Sequence, residues 1–207
     1  MEYIQDQDPV TAVKLARNYH LFAWFLHDAA LKGSLTPDNL PPSLGNPNEG
    51  PLIQWQPPLT QEDLCAWTGN SILASIAISA QAVDRALDDT FDRGMKRPRD
   101  RKPLPDAATL SDIDALRTVM YMIRSTFAHN PFNPTWRCQR PKYWAIFTIR
   151  HVPGMAEGFQ LNGPSLHKQP FDFAHFGGDT GYLHLLDLCL TYVEDARRGA
   201  RVSPPTT

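Results

Sequence analysis

The stretch SDIDALRTVMYMIRSTFAHNP, residues 111–131, decides the fold class of this chain. Ile113, Leu116, Met120, Ile123 and Phe127 recur at spacings of three and four, the mark of a helix with one buried face. Ser111 is a good N-cap for it. Pro131 disfavours helix at Asn130, so the helix is expected to end at about His129. Its last turn carries Arg124-Ser125-Thr126-Phe127-Ala128-His129-Asn130, which sets a guanidinium and an imidazole at a helix end.

Upstream, the same periodicity returns twice. Asp8-Pro9 is a strong helix start, and the helix should run to Lys32 with Gly33 stopping it. Ala12, Leu15, Ala16, Tyr19, Phe22, Ala23, Leu26 and Ala30 make one apolar stripe, with Leu21, Trp24, Phe25 and Leu31 outside it. A helix apolar over so much of its circumference is central in the core or serves an interface. Thr60 and Asp63 resemble a capping box that opens a second helix, from Gln61 to about Arg93. Small residues along it (Ala66, Ser71, Ala74, Ser75, Ala77, Ala82, Ala86) would admit another helix closely, and Gly69-Asn70 is a point where it could kink. Between these helices, residues 33–60 lose all pattern and hold seven of the 19 prolines. That reads as a surface loop anchored by Ile53 and Trp55.

Downstream the composition turns strand-like. Tyr143 to Arg150 is rich in aromatic and β-branched residues, Asn162-Gly163 reads as a hairpin turn, and Phe171-Asp172-Phe173 as a second strand. Asp179 or Thr180 opens a last helix, with Tyr182, Leu185, Leu186, Cys189 and Tyr192 or Val193 facing inward. The expectation is a mainly α protein: a bundle of about four long helices with a small β-hairpin-like insert over 143–173. It forms one domain over residues 1–199, followed by a frayed tail at 200–207.

Composition narrows the function. With 42% hydrophobic and 20% charged residues, the chain can bury a real core and is not charge-driven disorder. A formal net charge of −2 gives no global basic field, so any nucleic-acid binding must come from a local patch. Cys65, Cys138 and Cys189 are odd in number and widely spaced, which argues against a disulfide framework or zinc ribbon and fits a reducing compartment. The acidic, polar first residues lack a signal peptide's basic and apolar regions, and no apolar run is long enough to span a bilayer. The expected location is the cytoplasm.

An Arg and a His at a helix end suit phosphodiester chemistry. The guanidinium clamps non-bridging oxygens and stabilises the charge of the transition state. The imidazole takes a proton from a ribose 2′-OH or gives one to the leaving oxygen. The plainer reading is a helix-end His bonded to backbone beside a solvated Arg. The segment Met122 to Pro131, with Arg124, polar Ser125 and the His129-Asn130 pair, resembles the signature of the HEPN superfamily of prokaryotic toxins and defence ribonucleases. The family often has Asn directly after the Arg, where this chain has Ser125. The resemblance covers the helices, roughly Asp8 to His129 plus the last one. It implies a metal-independent endoribonuclease that needs no cofactor and leaves 2′,3′-cyclic phosphate ends. Arg124 would stabilise the phosphorane, His129 would serve as acid or base, and Ser125 and Asn130 would orient them. It also implies a homodimer in which two motifs meet across the interface, with a cognate antitoxin as a partner. The rival class is a non-catalytic module of the same fold that binds a nucleotide, an RNA or a protein.

Other candidates are weighed against plainer readings. Lys96, Arg97, Arg99, Arg101 and Lys102 form a basic, proline-broken loop that could contact phosphates or simply be solvated. Arg137, Arg140 and Lys142 could add to the same face. Asp84, Asp88 and Asp92 share a helix face where a divalent metal is conceivable, but Arg85 and Arg93 flank Asp89 at i±4, the pattern of ordinary surface pairing. His20 and His27 are seven apart, which suits core or interface positions and not a metal pair. Phe176-Gly177-Gly178-Asp179-Thr180-Gly181 lacks the phosphate-loop lysine and reads as a turn.

Overall fold

Asp8 caps the first helix, its carboxylate accepting from the backbone N–H groups of Val10 and Thr11. The computed structural model describes residues 7–41, 43–44, 53–54, 59–91 and 96–199. Helix α1 spans Pro9–Leu31, and Gly33 follows at φ +70°, a conformation that a side chain would strain. Helix α2 spans Gln61–Phe91. Its capping box forms: Asp63 accepts from the Thr60 N–H at 3.1 Å, and the Thr60 hydroxyl accepts from the Asp63 N–H at 3.1 Å. Helix α3, Asp112–Phe127, is capped by Ser111 and stops two residues short of the expected end, with Ala128 as its C-cap.

Helix α2 is the hub of the molecule, packing against α1, α3 and the last helix, α5 (Gly181–Arg197). Its small residues permit the approach: Ser75, Ser79, Ala80 and Ala82 are buried. At Gly69 the helix continues unbroken. The glycine makes room for the His27 ring, whose Cε1 would stand 3.3 Å from an added Cβ. The face that α1 turns inward matches the expected stripe in part. Ala12, Ala16, Ala23 and Ala30 of the stripe are buried, joined by Val10, Val13 and His20, while Leu15, Tyr19 and Phe22 are exposed. The small side chains win the contact because they let two long helices close on each other over many turns. The large apolar ones are left outside.

A buried polar chain pins this packing. His20 Nδ1 lies 2.7 Å from the Ser75 hydroxyl, and His20 Nε2 accepts from the Trp24 indole N–H at 3.2 Å. The Tyr182 hydroxyl of α5 sits 2.8 Å from that of Ser79. In α3, Ile113, Leu116, Met120, Ile123 and Phe127 are all buried, as their spacing requires. In α5, Tyr182, Leu185, Leu186, Cys189 and Val193 are buried.

Strand β3, Ile146–Ile149, falls inside the expected segment and pairs antiparallel with β4, Phe159–Asn162. The partner strand is thus not Phe171-Asp172-Phe173: the Asp172 side chain caps a short 3₁₀ turn, Phe173–Phe176. Asn162-Gly163 is not the hairpin turn either. The Asn162 side chain accepts from the Ser165 N–H and opens the one-turn helix α4, Gly163–Leu166. In both places a short polar side chain bonds its own downstream backbone and starts a turn. Phe147, Ile149, Phe159 and Leu161 face the core. The Asp112 carboxylate ties the sheet to α3 by accepting from the N–H groups of Arg150 and His151, each at 3.0 Å.

The proline-rich segment carries more order than expected. It holds a 3₁₀ turn at Pro37–Asn39 and a two-residue antiparallel pair, β1 (Ser43–Leu44) with β2 (Ile53–Gln54). Trp55, Asp92, Arg93 and the tail at 200–207 lie outside the described residues. The architecture is mainly helical with a small antiparallel sheet. Among the described residues no helix is long and apolar enough to cross a membrane.

Candidate functional site

Arg124 lies on the last turn of α3, and its guanidinium reaches across to α2. Nη1 stands 2.6 Å from Asp84 Oδ2. The Asp84 side chain is 3% exposed and that of Arg124 is 41% exposed, so the carboxylate is sunk while the guanidinium keeps an open face. Asp84 also faces Arg97, at 3.8 Å. One turn on, Asp88 pairs with Arg97 and, at 3.4 Å, with Arg117. The acidic residues of α2 therefore serve two purposes. Asp89 makes the i,i+4 surface pair with Arg85, at 3.8 Å, while Asp84 and Asp88 hold arginines inward. Among the described residues no group of three or more His, Cys, Asp or Glu is placed to hold a metal ion.

Tyr121, one turn before Arg124, gives the cluster its aromatic centre. The Arg99 guanidinium lies 3.5 Å above its ring centroid, and those of Arg97 and Arg124 stand at 5.8 and 5.9 Å. Tyr143 stacks with Tyr121 at 5.6 Å, and its hydroxyl accepts from Arg99 Nη1 at 3.3 Å. Tyr143 is held there by the hairpin. At Gly163 an added Cβ would meet the Tyr143 carbonyl oxygen at 2.0 Å, so this close approach needs glycine. The loop that carries Arg97 and Arg99 is thus folded onto the end of α3, latched by carboxylates on one side and aromatic rings on the other.

The electrostatics leave this cluster cationic. Arg97, Arg99, Arg117 and Arg124 crowd together in a partly dry setting, with Asp84 and Asp88 beside them and Asp100 3.6 Å from Arg99. Burial pulls the Arg97 pKa below its ordinary value; Asp84 opposes this, and Arg99, Arg117 and Arg124 add to it by repulsion. An anion seated here would relieve that repulsion, and planar guanidiniums match phosphate oxygens in pairs.

The other expected site residues scatter around this centre. His129 is exposed and makes no hydrogen bond or ring contact among the described residues. It lies five positions past Arg124, about 140° round the axis if the helix continued at 3.6 residues per turn. The helix alone therefore does not aim the two side chains at one point. Ser125 is half-buried on α3. Asn130 accepts from the backbone N–H groups of Phe132 and Asn133, at 3.2 and 3.1 Å, and so shapes the turn after the helix. Of the basic loop, Arg97 and Arg99 join the cluster, whereas Arg101 is committed to Asp114 by two bonds of 3.0 and 2.7 Å. Lys96 and Lys102 are exposed. Arg137 is exposed, and Arg140 lies 4.2 Å from the Trp144 ring centroid.

The remaining candidates settle into structural roles. His20 is bonded to Ser75 and His27 lies 3.1 Å from the Thr68 hydroxyl. Gly177 and Gly178, at φ +82° and +104°, make the turn before α5. Cys138 and Cys189 are buried, and burial pushes the Cys138 thiol up to about 11. The residues that sequence reasoning passed over are Asp84 and Asp88 as arginine holders, with Tyr121 and Tyr143 as the platform. Compared with known proteins, the chain matches no family model, no curated protein and no solved structure.

Proposed function

We propose that the protein is a metal-independent endoribonuclease of HEPN type, acting on RNA in a toxin or defence role. The observation that carries the reading is the arginine cluster against α3: four guanidiniums crowded together, with Arg124 half open and, just beyond the helix, an exposed His129 that has no hydrogen-bond partner among the described residues. Arg124, with Arg97 and Arg99 beside it, binds the non-bridging oxygens of the scissile phosphate and steadies the charge of the phosphorane. His129 exchanges the proton. The ribose 2′-oxygen gives up its hydrogen and bonds to phosphorus, the bond from phosphorus to the 5′-oxygen breaks, and that oxygen takes a proton. The products are a 2′,3′-cyclic phosphate and a 5′-hydroxyl. The toxin or defence role, and a cognate antitoxin as partner, rest on the sequence resemblance alone.

A second copy of the chain completes the site in this reading. Phe22 is 57% and Phe25 69% exposed on α1, an apolar face that lacks cover. An aromatic chain, Trp24 to Phe173 to Phe171 to Phe127, links that part of α1 to the end of α3 where His129 follows. In this reading a homodimer brings His129 of one copy toward the other.

A non-catalytic RNA-binding module is the competing reading, and the Arg124–Asp84 ion pair favours it, because it engages the guanidinium that catalysis requires. The deciding experiment incubates the purified protein with RNA in a chelator and analyses the product ends. Cleavage with cyclic phosphate ends is expected. It should fall about 10²–10⁴-fold in His129→Ala, and Arg124→Lys should rescue poorly, because a point charge cannot replace the planar fork. RNA bound but uncut by the native protein would select the module.

A further inference from the structure

Next to the arginine cluster lies an open cleft of about 320 Å³, walled by Arg99, Arg101, Lys102 and Lys142 and floored in part by Leu104 and Pro141. Arg99 also lines the small pocket beside Tyr121, so the cleft and the cluster are continuous across one side chain. Their cations differ in kind. Arg101 is spent on Asp114, whereas Lys102 and Lys142 are exposed and have no ion-pair partner among the described residues. The single carboxylate in the wall, Asp100, lies 3.6 Å from Arg99. The two lysines come from separate segments, one just after the latched loop and one just before Tyr143.

We infer that this cleft is a second phosphate subsite, which seats the nucleotide adjoining the one at the arginine cluster and so fixes the path of a single-stranded RNA. This rests on the RNA reading above and adds to it the substrate's strandedness and its path across the surface. The cleft's size falls in the range of small-ligand sites and suits one nucleotide. Mobile, strongly hydrated ammonium groups on its walls suit a backbone phosphate that must also slide. Leu104, 39% exposed, and Pro141 offer an apolar floor for a sugar or base. A base can reach that floor only when it is unstacked, as in a single strand and not in a duplex. An acidic peptide would gain from the charges but not from a regular phosphate spacing between two sites.

The test is Lys102→Ala/Lys142→Ala binding to fluorescein-labelled oligouridylate, followed by anisotropy across a salt series, with His129→Ala as background to prevent cleavage. The double variant should bind a 12-mer about tenfold more weakly, and its log–log salt slope should be shallower by about 0.7, the loss of one single-strand phosphate contact. The loss should be smaller for a dinucleotide, whose single phosphate can fill only one of the two subsites. Equal affinity and slope for the 12-mer would overturn the subsite while leaving the RNA reading intact. Absence of RNA binding by the parent protein would overturn both. Polyglutamate bound as tightly as oligouridylate would assign the cleft to an acidic protein instead.

Discussion

At the scale of single residues, Asp84 is the pivot. A carboxylate with 3% of its side chain exposed is tolerated only because Arg124 and Arg97 face it, and it holds both where they can meet an anion. It also competes with that anion for the same guanidinium. Asp84→Asn keeps the shape and removes the charge, so RNA affinity measured by filter binding should rise several-fold, about 1 kcal/mol. Unfolding in urea should show a loss of roughly 2 kcal/mol, since Arg124 loses its counter-charge and Arg97 keeps only Asp88. Weaker RNA binding with unchanged stability would mean that Asp84 positions Arg124 more than it competes. These partnerships were only half legible in the sequence. The Asp89–Arg85 pair is written in the i,i+4 spacing, but Asp84 and Arg124 are 40 positions apart and meet only because α2 and α3 pack side by side. Asn130 had the same obscurity. Its place after His129 suggested an orienting group, while its short side chain closes the turn.

At the scale of elements, helix starts and the period of α3 were readable because caps and spacing are local. The inward face of α1 was readable only in part, because the choice between Leu15 and Val13 is made by what α2 offers opposite. What α2 offers is a groove of small and hydroxyl side chains, and the chain fills it with His20. Burial holds the His20 pKa down at about 4, against 6.5 in the unfolded chain. The folded value is the lower one, so between about pH 6.5 and 4 the unfolded state binds more protons than the folded state. Stability must therefore fall as pH falls through that window, by about 3 kcal/mol from this group at pH 4. Urea unfolding at pH 7 and at pH 4.5 should show this loss, and His20→Gln should remove most of the difference while lowering stability at pH 7. A pH dependence unchanged in His20→Gln would mean that other groups carry it.

At the scale of the whole molecule, the mainly helical class was legible and the second β-strand was not. Phe159–Asn162 is a strand only through its partner Ile146–Ile149, whereas Asp172 and Asn162, which looked like turn and strand signals, start helical turns. The same dependence on a partner bears on activity. In-line cleavage needs one group near the attacking oxygen, one near the leaving oxygen and charge stabilisation between them. One chain supplies a single Arg124 and a single His129, which the helix does not aim at a common point. Two chains related by a two-fold axis, the commonest closed symmetry, supply all three. The exposed Phe22 and Phe25 on α1 give that axis a place to form. Sedimentation of the native protein is expected to show a dimer, and Phe25→Glu to shift it toward monomer with loss of cleavage. Arg124→Ala and His129→Ala chains, each inactive alone, should recover part of the activity when mixed under conditions of subunit exchange, because one mixed site regains both groups. No recovery from demonstrably mixed dimers would place both groups in one chain. Full activity in a strictly monomeric protein would end the shared-site model, and the cluster around Tyr121 would then have to do its chemistry within a single copy.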